Sequence, residues 1–419
     1  MLIKSLFFNI NPNSFSKTFY DQFVVSGGNF LSSLILIKFL GIEDFGIFSK
    51  IWIIIISVNI IQQAIILNPL LSISSKLSSP EKKEYMSNSH FLQIIFSIIS
   101  SLFIIFLIRI SANNLLFYQA NNLSLFYIFF SMSIIQMNEF YRKSIYTCKK
   151  IENLLKLDLT RYISQILILL FALIKGFRSP ENILIIYSMS CSLSFLINLN
   201  LIPKIRINFS SLFKTIKRNW LISRWLLSQS LVSWFQSNYL LFLTSFNLGS
   251  TYLGILRAFQ SILGISHIFL HSIDTWLPVH SGKLLKDKSP YLFKKNILNI
   301  ISKFSIFLIG IFLILICFSK LILLTFDKSL LDYVYEFRIF CFVYLIMSIN
   351  YPIKNVLLGI EKTISNFYGS TISVLIIIVL GNLLINNFGF IGIILLFILS
   401  NFIILISNIF YLKIKFQYL

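Results

Sequence analysis

Long apolar stretches, each about the length that crosses a bilayer, alternate with short polar segments from one end of the chain to the other. They fall at about residues 20–40, 45–73, 89–109, 122–140, 155–174, 182–203, 220–245, 251–280, 297–318, 333–353, 364–386 and 389–412, twelve in all. An α-helix rises about 1.5 Å per residue, so roughly 20 apolar residues cover a hydrocarbon core of about 30 Å. Each stretch is therefore predicted to be a transmembrane helix. The fold class is an all-α polytopic membrane protein.

Composition sharpens this. The chain has 419 residues, 57% of them hydrophobic and only 12% charged, with a mean hydropathy of +0.83. Soluble domains carry about 25% charged residues, so a large soluble enzyme is excluded. Twelve crossings use about 240 residues, which leaves no room for a sizeable extramembrane domain. Cys148, Cys191, Cys317 and Cys341 lie far apart, with no metal-binding or redox spacing. The start of the chain, with Lys4 and the brief run Leu6-Phe7-Phe8, predicts no removable signal peptide.

The polar segments fix an orientation. The net charge is +21, and the basic residues collect in alternate loops. These are the second (Lys76, Lys82, Lys83), the fourth (Arg142, Lys143, Lys149, Lys150, Lys156), the sixth (Lys204, Arg206, Lys214, Lys217, Arg218) and the eighth (Lys283, Lys286, Lys288, Lys294, Lys295). This is the pattern of cytoplasmic loops rather than of a nucleic-acid-binding face, so no nucleic acid is expected as a partner. It places both termini in the cytoplasm. Lys50, Arg161, Arg224, Arg257 and Lys303 remain inside the apolar windows. Lys303 is read as snorkelling to the headgroups.

The chain also compares with itself. Leu40-Gly41, Gly46, Lys50 and Pro69 recur as Leu248-Gly249, Gly254, Arg257 and Pro278, at offsets of 207 to 209. Upstream, Gln22, Ser26 and Asn29 recur as Gln229, Ser233 and Gln236, each set at i, i+4, i+7 and so on one helix face. A duplication of six spans predicts two lobes of like orientation, 1–203 and 220–419, joined by a basic linker at 204–219 and enclosing a cavity. Lys50 and Arg257 would then flank that cavity from opposite sides. Arg161 and Arg224 would stand at its inner mouth to capture an anion.

Span eight carries the densest chemistry: Arg257, Gln260, Gly264, His267, His271, Asp274 and Pro278, at spacings of 3, 4, 3, 4, 3, 4. Such a face is costly in hydrocarbon and must look onto protein or a watered cavity. It reads either as a hydrogen-bonded ladder or as a face that exchanges a proton among His267, His271 and Asp274. The set lacks the further ligands that a closed metal site needs, so no metal is assigned. Asp158 and Arg161, at i, i+3, are expected to pair with each other. Cations in excess over acids favour an anionic passenger.

Twelve spans, the Leu-Gly-Ile-Glu-Asp-Phe-Gly segment at 40–46 and its Leu-Gly-Ser-Thr-Tyr-Leu-Gly echo at 248–254 resemble the MOP exporter superfamily. More narrowly, the chain resembles its Wzx-type polysaccharide flippases. The resemblance implies a V-shaped, MATE-like pair of six-helix lobes. It also implies transfer of an undecaprenyl-pyrophosphate-linked oligosaccharide from the inner to the outer leaflet of the inner membrane, for O-antigen or other polysaccharide synthesis. Lys38 matches a basic residue that the family carries before the Leu-Gly turn. The implied substrate-binding residues are Lys38, Lys50, Arg161, Arg224 and Arg257. Gln22, Asn29, Gln229, Gln260, His267, His271 and Asp274 form the cavity and coupling face. No cofactor is implied beyond a coupling H+ or Na+, and polysaccharide polymerase machinery is an implied partner. Two alternatives are a multidrug exporter of the same fold and a membrane polymerase or ligase. The enzyme reading is disfavoured because the longest outer connection, about 319–332, is short.

Overall fold

The computed structural model describes residues 12–74, 77–110, 122–148, 151–198, 209–287, 290–360 and 364–417. Among them every regular element is helical. A bilayer core offers backbone amides no water, so each span must satisfy its N–H and C=O groups within itself, and an uninterrupted helix does this.

Six helices make the first half: α1 (Pro12–Leu40), α2 (Ile42–Gln62, continued through a π turn at Gln63–Leu67 into Asn68–Ser74), α3 (Ser79–Ile110), α4 (Asn122–Thr147), α5 (Ile151–Ile174) and α6 (Pro180–Ile197). The second half begins with α7 (Phe209–Asn247). It continues with α8 (Ser250–Leu263, carried by a 3-10 turn at Gly264–Ser266 into His267–Asp287), α9 (Pro290–Cys317) and α10 (Val334–Gly359). The last helical run, Ile364–Gln417, spans 54 residues and breaks at Gly389, so it forms two antiparallel helices, α11 (364–388) and α12 (390–417). Among the described residues, twelve helices of crossing length thus stand where the apolar windows predict them, and nine helical runs are by length and composition apolar enough to cross a membrane.

The turns show why the repeated glycines matter. A single residue, Gly41, separates α1 from α2, and Gly249 caps α8. Their φ angles are 81° and 96°, a left-handed region that costs an L-residue about 1–2 kcal/mol. A Cβ on either glycine would meet nothing within 4 Å, so the requirement lies in the backbone and not in space. Gly176, between α5 and α6, and Gly389, between α11 and α12, form a second pair with φ of 87° and 56°. Each is followed by a phenylalanine, Phe177 and Phe390, but at an offset of 213 rather than the 207 to 209 of the other repeated residues.

The described chain divides into two compact units, Leu31–Trp234 and Met1–Phe30 with Phe235–Leu419. Within the first, α4 is the hub, packing against α2, α3, α5 and α6. Within the second, α10 packs against α8, α9 and the α11–α12 pair. The fourth helix of each half therefore holds the same place, as a duplicated six-helix plan requires. Of the expected linker, 204–208 lies outside the described residues, and 209–219 forms the first turns of α7.

Large apolar side chains face outward. On α5, Ile163, Leu167, Phe171 and Ile174 are all more than half exposed and share one face at i, i+4, i+8, i+11. That is a lipid-facing stripe, and the chain is a multi-pass membrane protein.

Candidate functional site: charges inside the helix bundles

The first piece of α8 is the most deeply packed element of its unit. Leu253, Leu256, Ala258, Phe259 and Leu263 have no exposed surface at all. Arg257 and Gln260 stand half-buried on another face of this piece, and His267, past the 3-10 turn, is half-buried too. Arg257 donates from Nη1 to Gln260 Oε1 at 3.1 Å, one turn along. The His267 ring meets Tyr344 of α10 edge-on, with centroids 5.9 Å apart. Tyr344 is in turn packed against Phe312 and Phe340. Among the described residues no carboxylate forms an ion pair with Arg257. A guanidinium held by a neutral amide keeps its full charge available to an anion, and its planar fork suits phosphate oxygens.

The predicted stripe on α8 is not one straight line. The 3-10 turn at Gly264–Ser266 advances about 120° per residue instead of about 100°. Residues from His267 onward are therefore turned relative to Arg257 and Gln260. The side chains of His271 and Asp274 lie outside the described residues.

Arg161 has a different surrounding. Its side chain is buried, and Nη1 reaches Asn138 Oδ1 at 3.0 Å and Glu139 Oε1 at 3.2 Å. The other Glu139 oxygen accepts from Arg142 at 3.3 Å, and Arg142 Nε lies 2.8 Å from Asp158. The expected Asp158–Arg161 pair does not form. Each acid pairs with an arginine of α4 or α5 in a four-membered network whose charges sum to zero. The physical reason is that α4 and α5 face each other here. Each helix carries an acid and an arginine at i, i+3, so crossed pairing gives each of the four groups an oppositely charged partner. Arg161 is thus held by structure and does not stand open at a mouth. The Glu139 and Arg142 spacing was the available signal.

The other expected cations differ in exposure. Lys38 and Arg224 are exposed, and Lys50 is half-buried on α2. Arg224 lies over the ring of its neighbour Trp225 at 5.8 Å. Lys50 stands nine residues after Gly41 and Arg257 eight after Gly249. Relative to the two turns they are therefore one residue, or about 100°, out of register. Gln22 and Gln229 are half-buried and Asn29 is exposed.

Two features escaped the sequence reading. Asp21, beside Gln22 on α1, is buried to 3%. Gln62, just before the π turn of α2, donates to Gln93 Oε1 at 2.9 Å and to the Gln136 carbonyl at 2.8 Å, and Gln136 continues to Ser100. This amide chain ties α2, α3 and α4 together. Neither feature repeats in the second half, so self-comparison could not reveal it.

No family model matches the chain, and no curated protein matches it. Solved structures do. The lipid II flippase MurJ, in an inward-closed conformation, superposes with a TM-score of 0.68 at 16% identity, covering 95% of this chain and 87% of its own. An inward-facing MATE-family multidrug resistance transporter of the MOP superfamily gives 0.67 at 10% identity, covering 96% and 94%. A MOP superfamily transporter from Pyrococcus furiosus, described as having a binding pocket of reversed polarity, gives 0.65 at 11%, with the same coverage. These neighbours are two transporters and a flippase. The chain has the fold of the MOP superfamily transporters.

Proposed function

We propose that this protein flips an undecaprenyl-pyrophosphate-linked oligosaccharide from the cytoplasmic to the outer leaflet by alternating access. It would sit in the inner membrane with both termini cytoplasmic, serving polysaccharide or O-antigen synthesis. The observation that carries this reading is the balance of intramembrane charge. Glu139 and Asp158 are both neutralised by arginines, whereas Arg257 is held by Gln260 alone among the described hydrogen bonds and ion pairs. Of these groups the one without a charged partner among the described residues is a cation, which suits pyrophosphate better than a cationic drug. The likeness to a lipid II flippase supports a lipid-linked passenger. The alternate basic loops support the orientation.

Lys50 would assist Arg257, with Lys38 at the α1 turn and Gln22, Asn29, Gln229 and Gln260 lining the path. Proton exchange across His267, His271 and Asp274 would bias the two access states. The likeness to MATE transporters favours a second reading, export of small cationic drugs. Proteoliposomes separate the two. The proposal expects flipping of a fluorescent undecaprenyl-pyrophosphate oligosaccharide, which Arg257→Ala reduces at least tenfold, the scale of one lost charge-assisted hydrogen bond to phosphate. Arg257→Lys should keep part of it. Efflux of a cationic dye with no lipid flipping would replace the proposal by the exporter reading.

A further inference from the structure

The first four turns of α7 present two opposite faces. One is buried: Leu212, Thr215, Asn219 and Ser223. It is fixed by side-chain hydrogen bonds to α2 and α3 within the same unit. Tyr85 donates to Asn219 Oδ1 at 2.7 Å, and Asn88 donates to Ser211 at 3.0 Å and Thr215 at 3.2 Å. Ser223 donates to the Ile65 carbonyl at 3.3 Å. These bonds set the rotation of the helix about its axis.

The opposite face alternates aromatic and basic groups. Phe213, Lys217, Trp220 and Arg224 follow one another at i, i+4, i+7 and i+11, all exposed, a line along one side of a helix. Lys214 and Trp225 flank it, and Phe213 and Trp225 are each 72% exposed. No acidic residue occurs anywhere in the 39 residues of α7. Arg218, at the edge of the face, has the Glu81 carboxylate as an electrostatic neighbour, whereas no acid touches Lys214 or Lys217 among the described ion pairs. A basic face that met only water would gain nothing from Phe and Trp at this exposure. The combination suits a membrane interface, where rings sit at headgroup depth and ammonium groups reach phosphates.

We infer that this face is a docking surface for anionic phospholipid headgroups of the surrounding leaflet. Its charge and its rings match a phosphatidylglycerol-type surface, and the Tyr85–Asn219 clasp aims it. The inference does not depend on what the protein transports.

Native mass spectrometry of the full-length protein, equilibrated with equal phosphatidylglycerol and phosphatidylethanolamine, reads it directly. The parent should retain phosphatidylglycerol in preference. Lys214→Gln with Lys217→Gln should weaken that preference by about fivefold per charge, while Lys214→Arg with Lys217→Arg keeps it. Lys294→Gln with Lys295→Gln, the same charge loss on α9, should leave it unchanged. A parent without preference, a Gln pair that keeps it, or an α9 pair that loses it equally would overturn the inference. Circular dichroism checks the fold, and Lys217→Gln alone gives the same readout if the pair does not fold.

Discussion

Arg161 and Arg257 are both arginines inside a helix bundle, and their surroundings differ. Arg161 belongs to a closed network with Glu139, Arg142 and Asp158. Removing one partner of a buried pair leaves an uncompensated charge and costs about 3–5 kcal/mol. Glu139 keeps about a fifth of its side chain exposed, so water screens part of that loss. Glu139→Gln is expected to lower stability by about 2–3 kcal/mol, read as a clear drop in the melting temperature of the detergent-solubilised protein. Among the described residues Arg257 has no such partner, so Arg257→Ala should leave the melting temperature within a few degrees of the parent while flipping falls. A large loss of stability in Arg257→Ala would show that it, too, is a structural charge. The i, i+3 spacing of Asp158 and Arg161 was plain in the sequence, but the identity of their partners was not. Each side chain has several residues within reach across the helix interface, and only the rotation of α4 against α5 selects among them.

At the scale of elements, the α1–α2 and α7–α8 turns were legible because glycine leaves a mark in sequence when it supplies a backbone conformation. Gly249→Ala should cost about 1–2 kcal/mol through left-handed strain. Gly249→Asn should cost less, since Asn tolerates that region. Gly392 provides a different test. A Cβ there would fall on the Leu384 carbonyl, where α11 and α12 cross. Gly392→Ala must therefore move backbone, and it is expected to lower the melting temperature more than Gly249→Ala does. The reverse order would mean that the crossing relaxes more easily than the turn. The irregular stretches of α2 and α8 left no mark in the apolar pattern, because a π or 3-10 turn changes the direction of side chains without changing which residues are apolar.

For the whole molecule, the proposed transfer of a bulky head group between leaflets requires two access states. Direction requires a coupled event. With His267, His271 and Asp274 as a proton-exchanging face, an imposed proton gradient should accelerate flipping in vesicles. His271→Gln and Asp274→Asn should abolish the acceleration while leaving gradient-free flipping in place. Variants that keep the parent's gradient dependence would leave these residues as a hydrogen-bonded ladder.

The count of helices, the duplication and the arginine in the eighth span were all present in the sequence. Each depends on residue type and spacing along one helix, measured against a bilayer of known thickness. The sequence also carried the alternation of basic loops. The tertiary structure alone decided which charges are neutralised, where Asp21 is buried, how Gln62 joins three helices and how a 3-10 turn re-aims the lower part of α8. These outcomes depend on which faces of different helices meet. A charge inside a bundle is set by its neighbours across the interface, and the spacing within its own helix does not encode them.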